Sequence, residues 1–272
     1  GVIPMLLQSS ARRVGIVGLG TGATAGAVGL FDGVESIDIV ELEPAMVEAS
    51  AFFDRNNWGV LKDPRTRLFI NDGRSFFEGR KGMYDVIISE PSNPWISGIS
   101  NLYTVDFFGK ARESLARGGV FAVWVQCYSI SRDSFGMVLR TFLEVFPDAT
   151  LWQVEMSDML IVGSKEGAAP PGIASIRSRL LGNPRLSAAL GQGGPLTLES
   201  LLMKFRLGAD AVRRLAGPVH EEGLLFGQRA IDVAIRADER ADPDHDLEAE
   251  GVQFVHHRLG IGKTAGVEGP LA

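Results

Sequence analysis

The sequence contains very little cysteine and histidine. Cys127 is the only cysteine among 272 residues, which excludes an internal disulfide framework and a cysteine zinc cluster. Because it follows an apolar run, we interpret it as a buried thiol at a strand end. The four histidines lack the spacing of zinc ligands, since two are adjacent and the other two stand alone. We therefore expect no metal site.

Long apolar runs and an excess of basic residues are missing as well. No apolar stretch reaches the 18 or more residues of a membrane span, and residues 1–8 lack the basic region and full hydrophobic core of a signal peptide. Lys and Arg number 27 against 33 Asp and Glu, for a net charge of -6, which gives no footprint for nucleic acid or an anionic membrane. We expect a soluble, cytoplasmic protein with small, neutral or cationic partners. The start at Gly1, just before the first strand pattern, leads us to expect further sequence upstream.

Glycine, by contrast, is abundant, at 33 of 272 residues, whereas about 7% is usual. Strand and helix patterns alternate with short links between residues 13 and 165, which predicts a parallel sheet covered by helices on both faces. We predict an α/β, Rossmann-like, mostly parallel sheet of seven strands that ends in an antiparallel hairpin. The predicted strands are 13–17, 36–40, 66–70, 84–89, 120–126, 150–154 and 159–162.

The character of the sequence changes after residue 165. A proline-rich link at 168–172 is followed by helical patterns at 173–181, 197–205 and 209–215 that lack the rhythm of a parallel sheet. We predict two units, a nucleoside-binding catalytic domain at 1–165 and a mainly helical extension at 166–272 of unknown role. We interpret the acidic stretch at 237–251 as a solvated loop rather than a cation site.

A glycine-rich turn, Gly18-Leu19-Gly20-Thr21-Gly22, follows the first predicted strand. Glycines allow a tight turn and a close approach to a ligand, and the free N–H groups at a helix start favour an anionic group. Glu41 comes about 20 residues later at the end of the second strand, where a carboxylate can accept both hydroxyls of a ribose. The pattern predicts a nucleoside-containing ligand. It also fits the dinucleotide fingerprint, in which Gly18, Gly20 and Ala23 are the small residues.

Two further stretches with reactive or binding side chains lie directly after the third and fourth predicted strands. Asn71-Asp72-Gly73 follows the third strand, where the acid can accept a hydrogen bond from an adenine amino group, cap the next helix, or do both. Glu90-Pro91-Ser92-Asn93-Pro94-Trp95 follows the fourth strand and combines a carboxylate, an amide and an indole. Open α/β sheets bind ligands at this carboxyl edge, so we predict the reaction site there.

At these residues the chain resembles the polyamine aminopropyltransferases, the spermidine synthases and their relatives, within the Rossmann-like S-adenosylmethionine-dependent transferases. The resemblance covers residues from about 10 to 165. It is carried by Val17-Gly18-Leu19-Gly20-Thr21-Gly22, Val40-Glu41-Leu42-Glu43, Asn71-Asp72-Gly73, Tyr84-Asp85-Val86-Ile87-Ile88, and Asn101-Leu102-Tyr103-Thr104 before Phe107-Phe108. The stretch Ser89 to Trp95 is most similar to a spermidine synthase-like branch that is often fused to membrane-spanning segments.

The resemblance implies that decarboxylated S-adenosylmethionine is the co-substrate. The turn from Gly18 to Gly22 would lie along its methionine-derived tail. Glu41 would hold the ribose beside Leu42, and Asp72 and Gly73 would lie at the adenine. The resemblance also implies a homodimer. It further implies a front domain of β-strands that supplies part of the amine pocket, and we find no such domain in this sequence.

The sequence departs from the family in the loop after the fourth strand. The family has Asp-x-x-Asp-Pro there; its first Asp takes the proton of the attacking amine and its second grips the substrate. Glu90 and Asn93 stand at the matching positions. Glu90 keeps a carboxylate for general base catalysis and for contact with the donor, whereas the uncharged Asn93 should hold an ammonium group more weakly.

Three further side chains are candidates for the amine pocket. Tyr103 and Trp95 could wall the amine channel through cation–π contacts, and we include Tyr103 among the catalytic candidates. Gln126, at the end of the fifth strand, could face the same cleft. Packing in the core is the alternative for each aromatic residue, and a solvent-exposed strand end is the alternative for Gln126.

Four functions remain open from the sequence. The first, which we predict, is aminopropyl transfer with Glu90 as the general base. The second is methyl transfer from intact S-adenosylmethionine to an amine, because Asn93-Pro94 before an aromatic residue is placed where amine-methylating enzymes hold their target nitrogen. The third is nicotinamide-dependent hydride transfer, which no Tyr-x-x-x-Lys pattern or placed histidine supports. The fourth is a nucleoside-binding module without catalysis.

Overall fold

A computed structural model describes residues 1–92, 94, 98–128, 130–167, 171–190 and 197–217. In these ranges the strands are β1 (Arg13–Val17), β2 (Ser36–Glu41), β3 (Thr66–Ile70), β4 (Tyr84–Ser89), β5 (Leu115–Gln126), β6 (Thr150–Glu155), β7 (Asp158–Ser164) and β8 (Phe205–Leu207). The α-helices are α1 (Val2–Leu7), α2 (Ala23–Gly29), α3 (Pro44–Ser50), α4 (Gly73–Phe76), α5 (Val105–Ser114), α6 (Arg132–Val145), α7 (Ile173–Leu181), α8 (Pro184–Leu190), α9 (Leu198–Leu202) and α10 (Ala209–Ala216). The acidic stretch at 237–251 and all four histidines lie outside the described residues.

The strands form one sheet in the order β3-β2-β1-β4-β5-β7-β6-β8. Strands β1 to β5 pair in parallel, and β7, β6 and β8 continue the sheet by antiparallel pairing. The carboxyl ends of β1 to β5 therefore lie along one edge of the sheet, together with the end of β6 and the start of β7. The predicted Rossmann-like fold with an antiparallel hairpin is confirmed.

A hydrophobic core covers each face of the sheet, because the central strands are buried on both sides. Helices α4, α5, α6 and α10 cover the aromatic face, whose cluster includes Phe107, Phe121 and Phe142. Helices α1, α2, α7, α8 and α9 cover the opposite face, here called the α2 face, where the cluster includes Ile88 and Leu160. Among the described residues, no helix combines the length and apolar character needed to cross a membrane.

Strand β5 begins at Leu115 and not at residue 120. The pairing with β4 shifts from Tyr84 opposite Leu115 to Val86 opposite Val120, so the intervening residues bulge out of the ladder. Gly118 lies in this bulge with a φ of 68°, a conformation that glycine adopts without steric cost. The Gly118-Gly119 pair, a dipeptide that often marks a turn, thus lies within the strand and interrupts its pairing with β4.

The segment after residue 171 adds an eighth strand to the sheet. Helix α9 ends at Leu202, and β8 then pairs with β6, with Leu151 opposite Leu207 and Trp152 opposite Phe205. The predictions of seven strands and of a helix through residue 205 are therefore wrong at this point. A strand of three residues has no local pattern of its own and is stabilised by the backbone groups of its neighbour.

The described part of the extension also contributes to both cores. Ile176 and Leu180 are buried on the α2 face, and Val212 and Ala216 are buried on the aromatic face. Helix α1, which the sequence did not predict, packs beneath this extension. How the chain divides into domains, with a boundary at residue 165, stays a prediction.

Arg179 connects the extension to α1 through hydrogen bonds. Its guanidinium donates hydrogen bonds to the carbonyl oxygens of Leu6 at 2.6 Å, Met5 at 2.7 Å and Gln8 at 3.1 Å. These carbonyls belong to the last turn of α1, where backbone acceptors have no partner within the helix and a cation is favourable. One side chain therefore caps a helix that lies more than 170 residues away in the sequence.

We expect Arg179→Met to lower the free energy of unfolding by about 1–3 kcal/mol, because the carbonyls at the end of α1 lose their charged donor while the apolar stem remains. Arg177→Met is the matched control. Arg177 pairs with Glu199 at the surface, where both side chains are exposed, so its loss should cost about 0.5 kcal/mol or less. Urea denaturation measures both changes, and equal losses would show that Arg179 does not hold α1.

Candidate functional site

The glycine turn brings three strand ends together. The N–H of Gly18 donates to the carbonyl of Val40 at the end of β2, and the N–H of Glu90 donates to the carbonyl of Val17 at the end of β1, both at 2.9 Å. Gly18 has a φ of 90°, and a Cβ there would lie 2.6 Å from the carbonyl oxygen of Glu90. Only glycine fits, because both the backbone angle and the space exclude a side chain.

Glu41 is the last residue of β2 and is buried beneath this turn. Its Oε2 accepts a hydrogen bond from the N–H of Leu19 at 2.8 Å, and its Oε1 accepts one from the N–H of Glu43 at 2.9 Å. Each carboxylate oxygen has a second lone pair, so the side chain can fix the turn and still accept the hydroxyls of a ribose. Leu42 is next along the chain and is 66% exposed, which leaves an apolar side chain at the sheet edge.

Asp72 caps helix α4. Its Oδ2 accepts hydrogen bonds from the N–H and from the hydroxyl of Ser75, both at 2.9 Å, while Oδ1 has no hydrogen bond to the described residues. The helix cap and an acceptor for an amino group are therefore compatible, as the sequence suggested. Gly73 is buried, and a Cβ there would lie 2.7 Å from a methyl group of Val17, so its small size lets α4 pack against β1.

Glu90 follows β4 and extends over the first turn of α2. Its Oε1 accepts a hydrogen bond from the hydroxyl of Thr24 at 2.7 Å. Its Oε2 has no hydrogen bond to any described residue, and the side chain is half-buried. The carboxylate is thus oriented by one oxygen and has a free acceptor at the carboxyl edge of the sheet.

Gln126 and Asp158 lie opposite each other where β5 ends and β7 begins. Gln126 is 4% exposed, and its Oε1 has no hydrogen-bond partner among the described residues. The side chain is therefore buried and is not an exposed strand end. Asp158 is half-buried, and burial followed by the charge of Glu155 raises the pKa of its carboxyl group above the ordinary value.

Tyr103 lies in the core of the aromatic face. It is fully buried, and its hydroxyl donates to the carbonyl of Trp124 at 2.9 Å. Burial raises the pKa of Tyr103 well above its ordinary value. This position favours core packing, the alternative that the sequence left open, over a wall of an amine channel. Asn93 and Trp95 lie outside the described residues.

The structure thus joins Gly18, Gly20, Thr21, Gly22, Glu41 and Glu90 around one turn, with Leu42, Asp72 and Gly73 at the ends of the neighbouring strands. Sequence reasoning missed Thr24 and Asp158. Thr24 has a recognisable signal in the sequence, a hydroxyl two residues after the glycine turn, but only the fold shows that this hydroxyl reaches Glu90. Within the described ranges, no group of three or more His, Cys, Asp or Glu is arranged to hold a metal ion.

A sheet with this strand order, whose carboxyl edge holds a glycine turn and the carboxylates of Glu41, Asp72 and Glu90, defines a Rossmann-like fold, a class of fold that binds nucleotide ligands at this edge. The chain belongs to the spermine/spermidine synthase family, since residues 1–160 match the model of the spermine/spermidine synthase domain.

The relatives and solved structures agree with this assignment. The polyamine aminopropyltransferase of Nitrosomonas europaea is 28% identical over 207 residues, which cover 71% of this chain and 61% of that protein. The chain therefore spans about three fifths of the length of this curated relative. A spermidine synthase in complex with the transition state analogue AdoDATO has a TM-score of 0.67 at 22% identity, covering 79% of this chain and 72% of that one. Human methyltransferase-like protein 13 in complex with SAH has a TM-score of 0.52 at 21% identity, covering 69% and 85%. At these identities the two structures show the fold.

We expect Gly18→Ala to destabilise the protein by about 2 kcal/mol or more, because a Cβ would meet the backbone of Glu90 in a strained conformation. Gly20→Ala is the control, since Gly20 also has a positive φ but has no atom within 4 Å of the position that a Cβ would take. It should cost about 1 kcal/mol. Unfolding free energies in urea measure both, and an equal loss would contradict the close approach at Gly18.

Proposed function

We propose that the protein is an aminopropyltransferase, which moves the aminopropyl group of decarboxylated S-adenosylmethionine onto a nitrogen of a small amine with Glu90 as the general base. The observation that carries the proposal is the position of Glu90. Its carboxylate lies beside the glycine turn, with Oε1 held by Thr24 and Oε2 free of hydrogen bonds to the described residues. Membership of the spermine/spermidine synthase family supports the same reaction.

The reaction requires alignment and the removal of one proton. The donor supplies a sulfonium, which makes the adjacent carbon electrophilic. The lone pair of a neutral amine attacks that carbon, the carbon–sulfur bond breaks, and its electron pair stays on sulfur as a neutral thioether. The attacking nitrogen gains a positive charge and loses its proton to Glu90. Orientation of the two reactants and a positioned base are the recognised sources of the rate acceleration.

The donor would bind along β1, β2 and β3. The turn at 18–22 would lie along the methionine-derived tail of the donor, and Glu41 has lone pairs left for the ribose hydroxyls. The exposed Leu42 offers an apolar surface for the adenine. The Oδ1 atom of Asp72 is available to an amino group of the adenine. Carboxylates at this edge favour a sulfonium cation and an ammonium group alike.

The amine would bind where β4 and β5 end, beside Glu90 and Gln126. Asn93 and Trp95 follow Glu90 in the sequence and are proposed to contact the amine, on the resemblance to the family alone. The homodimer and the cytoplasmic location stay predictions from the sequence, as does the absence of nucleic acid and membrane partners.

Methyl transfer from intact S-adenosylmethionine is the second candidate, because the fold is also shared with human methyltransferase-like protein 13. The deciding experiment supplies either decarboxylated or intact S-adenosylmethionine with a panel of amines and identifies the products by mass spectrometry. Aminopropylated amine from the decarboxylated donor supports the proposal. If methylated amine is the only product, methyl transfer replaces the proposed aminopropyl transfer. If no combination of donor and amine gives a product, the remaining function is that of a nucleoside-binding module without catalysis.

We expect Glu90→Gln to reduce kcat for aminopropyl transfer by about 100-fold to 10,000-fold, because the amide cannot take the proton of the amine. Donor binding, measured by calorimetry, should change far less, since Glu41 and the glycine turn are intact. Glu43→Gln is a control at an exposed carboxylate on the same edge. An unchanged kcat in Glu90→Gln would exclude Glu90 as the base.

Thr24→Val should lower kcat about tenfold through loss of one charge-assisted hydrogen bond that orients Glu90. Valine keeps the shape of threonine, so the KM for the donor should change little. Thr24→Ser retains the hydroxyl and should restore most of the activity. If serine and valine were equally impaired, the packing of the methyl group and not the hydrogen bond to Glu90 would explain the loss.

A further inference from the structure

Asn57 is a buried polar side chain that lies behind the glycine turn, between α3 and β3. It is 2% exposed. Its Nδ2 donates hydrogen bonds to the carbonyl oxygen of Thr21 at 2.8 Å and to that of Ser50 at 3.0 Å. Its Oδ1 accepts one from the N–H of Gly59 at 2.9 Å. The two donors and the acceptor oxygen of this amide therefore bond to the backbone of three different segments.

The contact with Thr21 fixes one peptide group of the glycine turn. The N–H of the next residue, Gly22, donates to the carbonyl of Leu19 at 2.7 Å. Because a peptide group is planar, the group between Thr21 and Gly22 is held on both sides, at its oxygen by Asn57 and at its N–H by Leu19. Asn57 thus determines how the chain leaves the turn and enters α2.

Two side chains hold the turn from opposite ends of α3. Glu41, before this helix, accepts a hydrogen bond from the N–H of Leu19. Asn57, after the helix, donates to the carbonyl of Thr21. The carbonyl of Ser50, the last residue of α3, bonds to the same Nδ2 of Asn57 and so has a partner that the helix itself does not provide. The turn, the end of β2 and α3 therefore form one closed unit.

The backbone around Asn57 combines a strained residue with a close contact to α2. Trp58 has a φ of 53°, which is a rare conformation for a bulky side chain. A Cβ at Gly26 of α2 would lie 2.2 Å from the carbonyl oxygen of Asn57 and 2.8 Å from a ring atom of Trp58. Strained residues persist where the surrounding contacts determine them, and they cluster at functional sites. The strained segment presses against α2 and brings the amide of Asn57 to the turn.

We propose that Asn57 is a positioning residue for the donor, because it holds the carbonyl of Thr21 and so keeps the glycine turn in the shape that contacts the tail of the donor. The inference rests on the proposed function, in which this turn lies along the tail. Asn57 acts through the turn and does not touch the donor, since its amide is bonded to backbone groups. Its loss should weaken contacts with the tail more than the contact of Glu41 with the ribose.

The test compares decarboxylated S-adenosylmethionine with 5′-methylthioadenosine, which is the part of the donor that remains when the aminopropyl group is removed. Asn57→Asp keeps the size of the side chain and the acceptor for Gly59, but it places an oxygen opposite the carbonyls of Thr21 and Ser50. We expect the variant to bind the donor about tenfold more weakly, which corresponds to the loss of one hydrogen bond. Its affinity for 5′-methylthioadenosine should change by less than about threefold. Calorimetry measures both affinities.

Asn56→Asp is the matched control, because it makes the same chemical change at the neighbouring, exposed residue. Gly82→Ala controls for a general loss of stability. Gly82 precedes β4 at the opposite edge of the sheet and has a φ of 65°, so alanine is strained there. Both controls should bind the two ligands as the wild type does. Equal weakening of the two ligands in Asn57→Asp, or the same loss of donor affinity in either control, would overturn the role of Asn57.

Asn57→Ala is a second variant, which removes the two donors without adding a charge. It should show the same loss for the donor and little change for 5′-methylthioadenosine. If neither variant at residue 57 folds, Asn57 is required for the fold itself and the positioning role is overturned.

Binding separates this inference from the proposed function, since it needs no turnover. If the donor binds and no amine is aminopropylated, the proposed function fails, and the comparison of the wild type with Asn57→Asp still tests Asn57. Weaker donor binding confined to the variants at residue 57 supports the positioning role. Equal donor binding by the wild type and Asn57→Asp, or no donor binding by the wild type, overturns it.

Discussion

The close approach of two backbones, at Gly18 and Glu90, is the constraint on which the site depends. The residue after β1 must lie against the residue after β4, because the N–H of Glu90 bonds to the carbonyl of Val17 and the N–H of Gly18 bonds to β2. A side chain at Gly18 would separate these strand ends. Glu41 reinforces the junction from below through the N–H of Leu19. Main-chain contacts thereby hold the glycine turn and the backbone of Glu90, the proposed base, side by side.

This junction also sets the side of the sheet to which the side chain of Glu90 projects. Once the turn fixes the backbone of Glu90, alternation along β4 directs its side chain to the α2 face, where Thr24 donates to it. On the aromatic face, the buried side chain of Tyr103 packs in the hydrophobic cluster. Both faces are packed with apolar side chains, and at the carboxyl edge Gln126 and Asp158 project to the α2 face, as Glu90 does.

Local patterns predicted most of this arrangement. The parallel strands and the final hairpin follow from apolar runs and turn residues, and Glu41, Asp72 and Glu90 follow from the rule that strand ends carry the site. What the sequence could not provide depends on contacts between distant segments. The sequence suggested Tyr103 as an aromatic residue with a hydroxyl group near the site, and only its packing against β5 shows that this hydroxyl is bonded within the core. The strand β8 and the cap by Arg179 likewise could not be predicted from local patterns, because the first depends on pairing with β6 and the second on contact with α1.

The C-terminal segment connects to the site through the sheet rather than through the glycine turn. Strand β8 pairs with β6, and β6 pairs with β7, whose first residue is Asp158. The backbone of Gln153 adds a hydrogen bond to the carbonyl of Lys204, which fixes the end of β6 beside Asp158. The strand ends proposed to bind the nucleoside, those of β1, β2 and β3, lie towards the other side of the sheet. The extension is therefore placed beside the ends of β5 and β7, while the glycine turn, Glu41, Asp72 and Glu90 all belong to the first ninety residues of the chain.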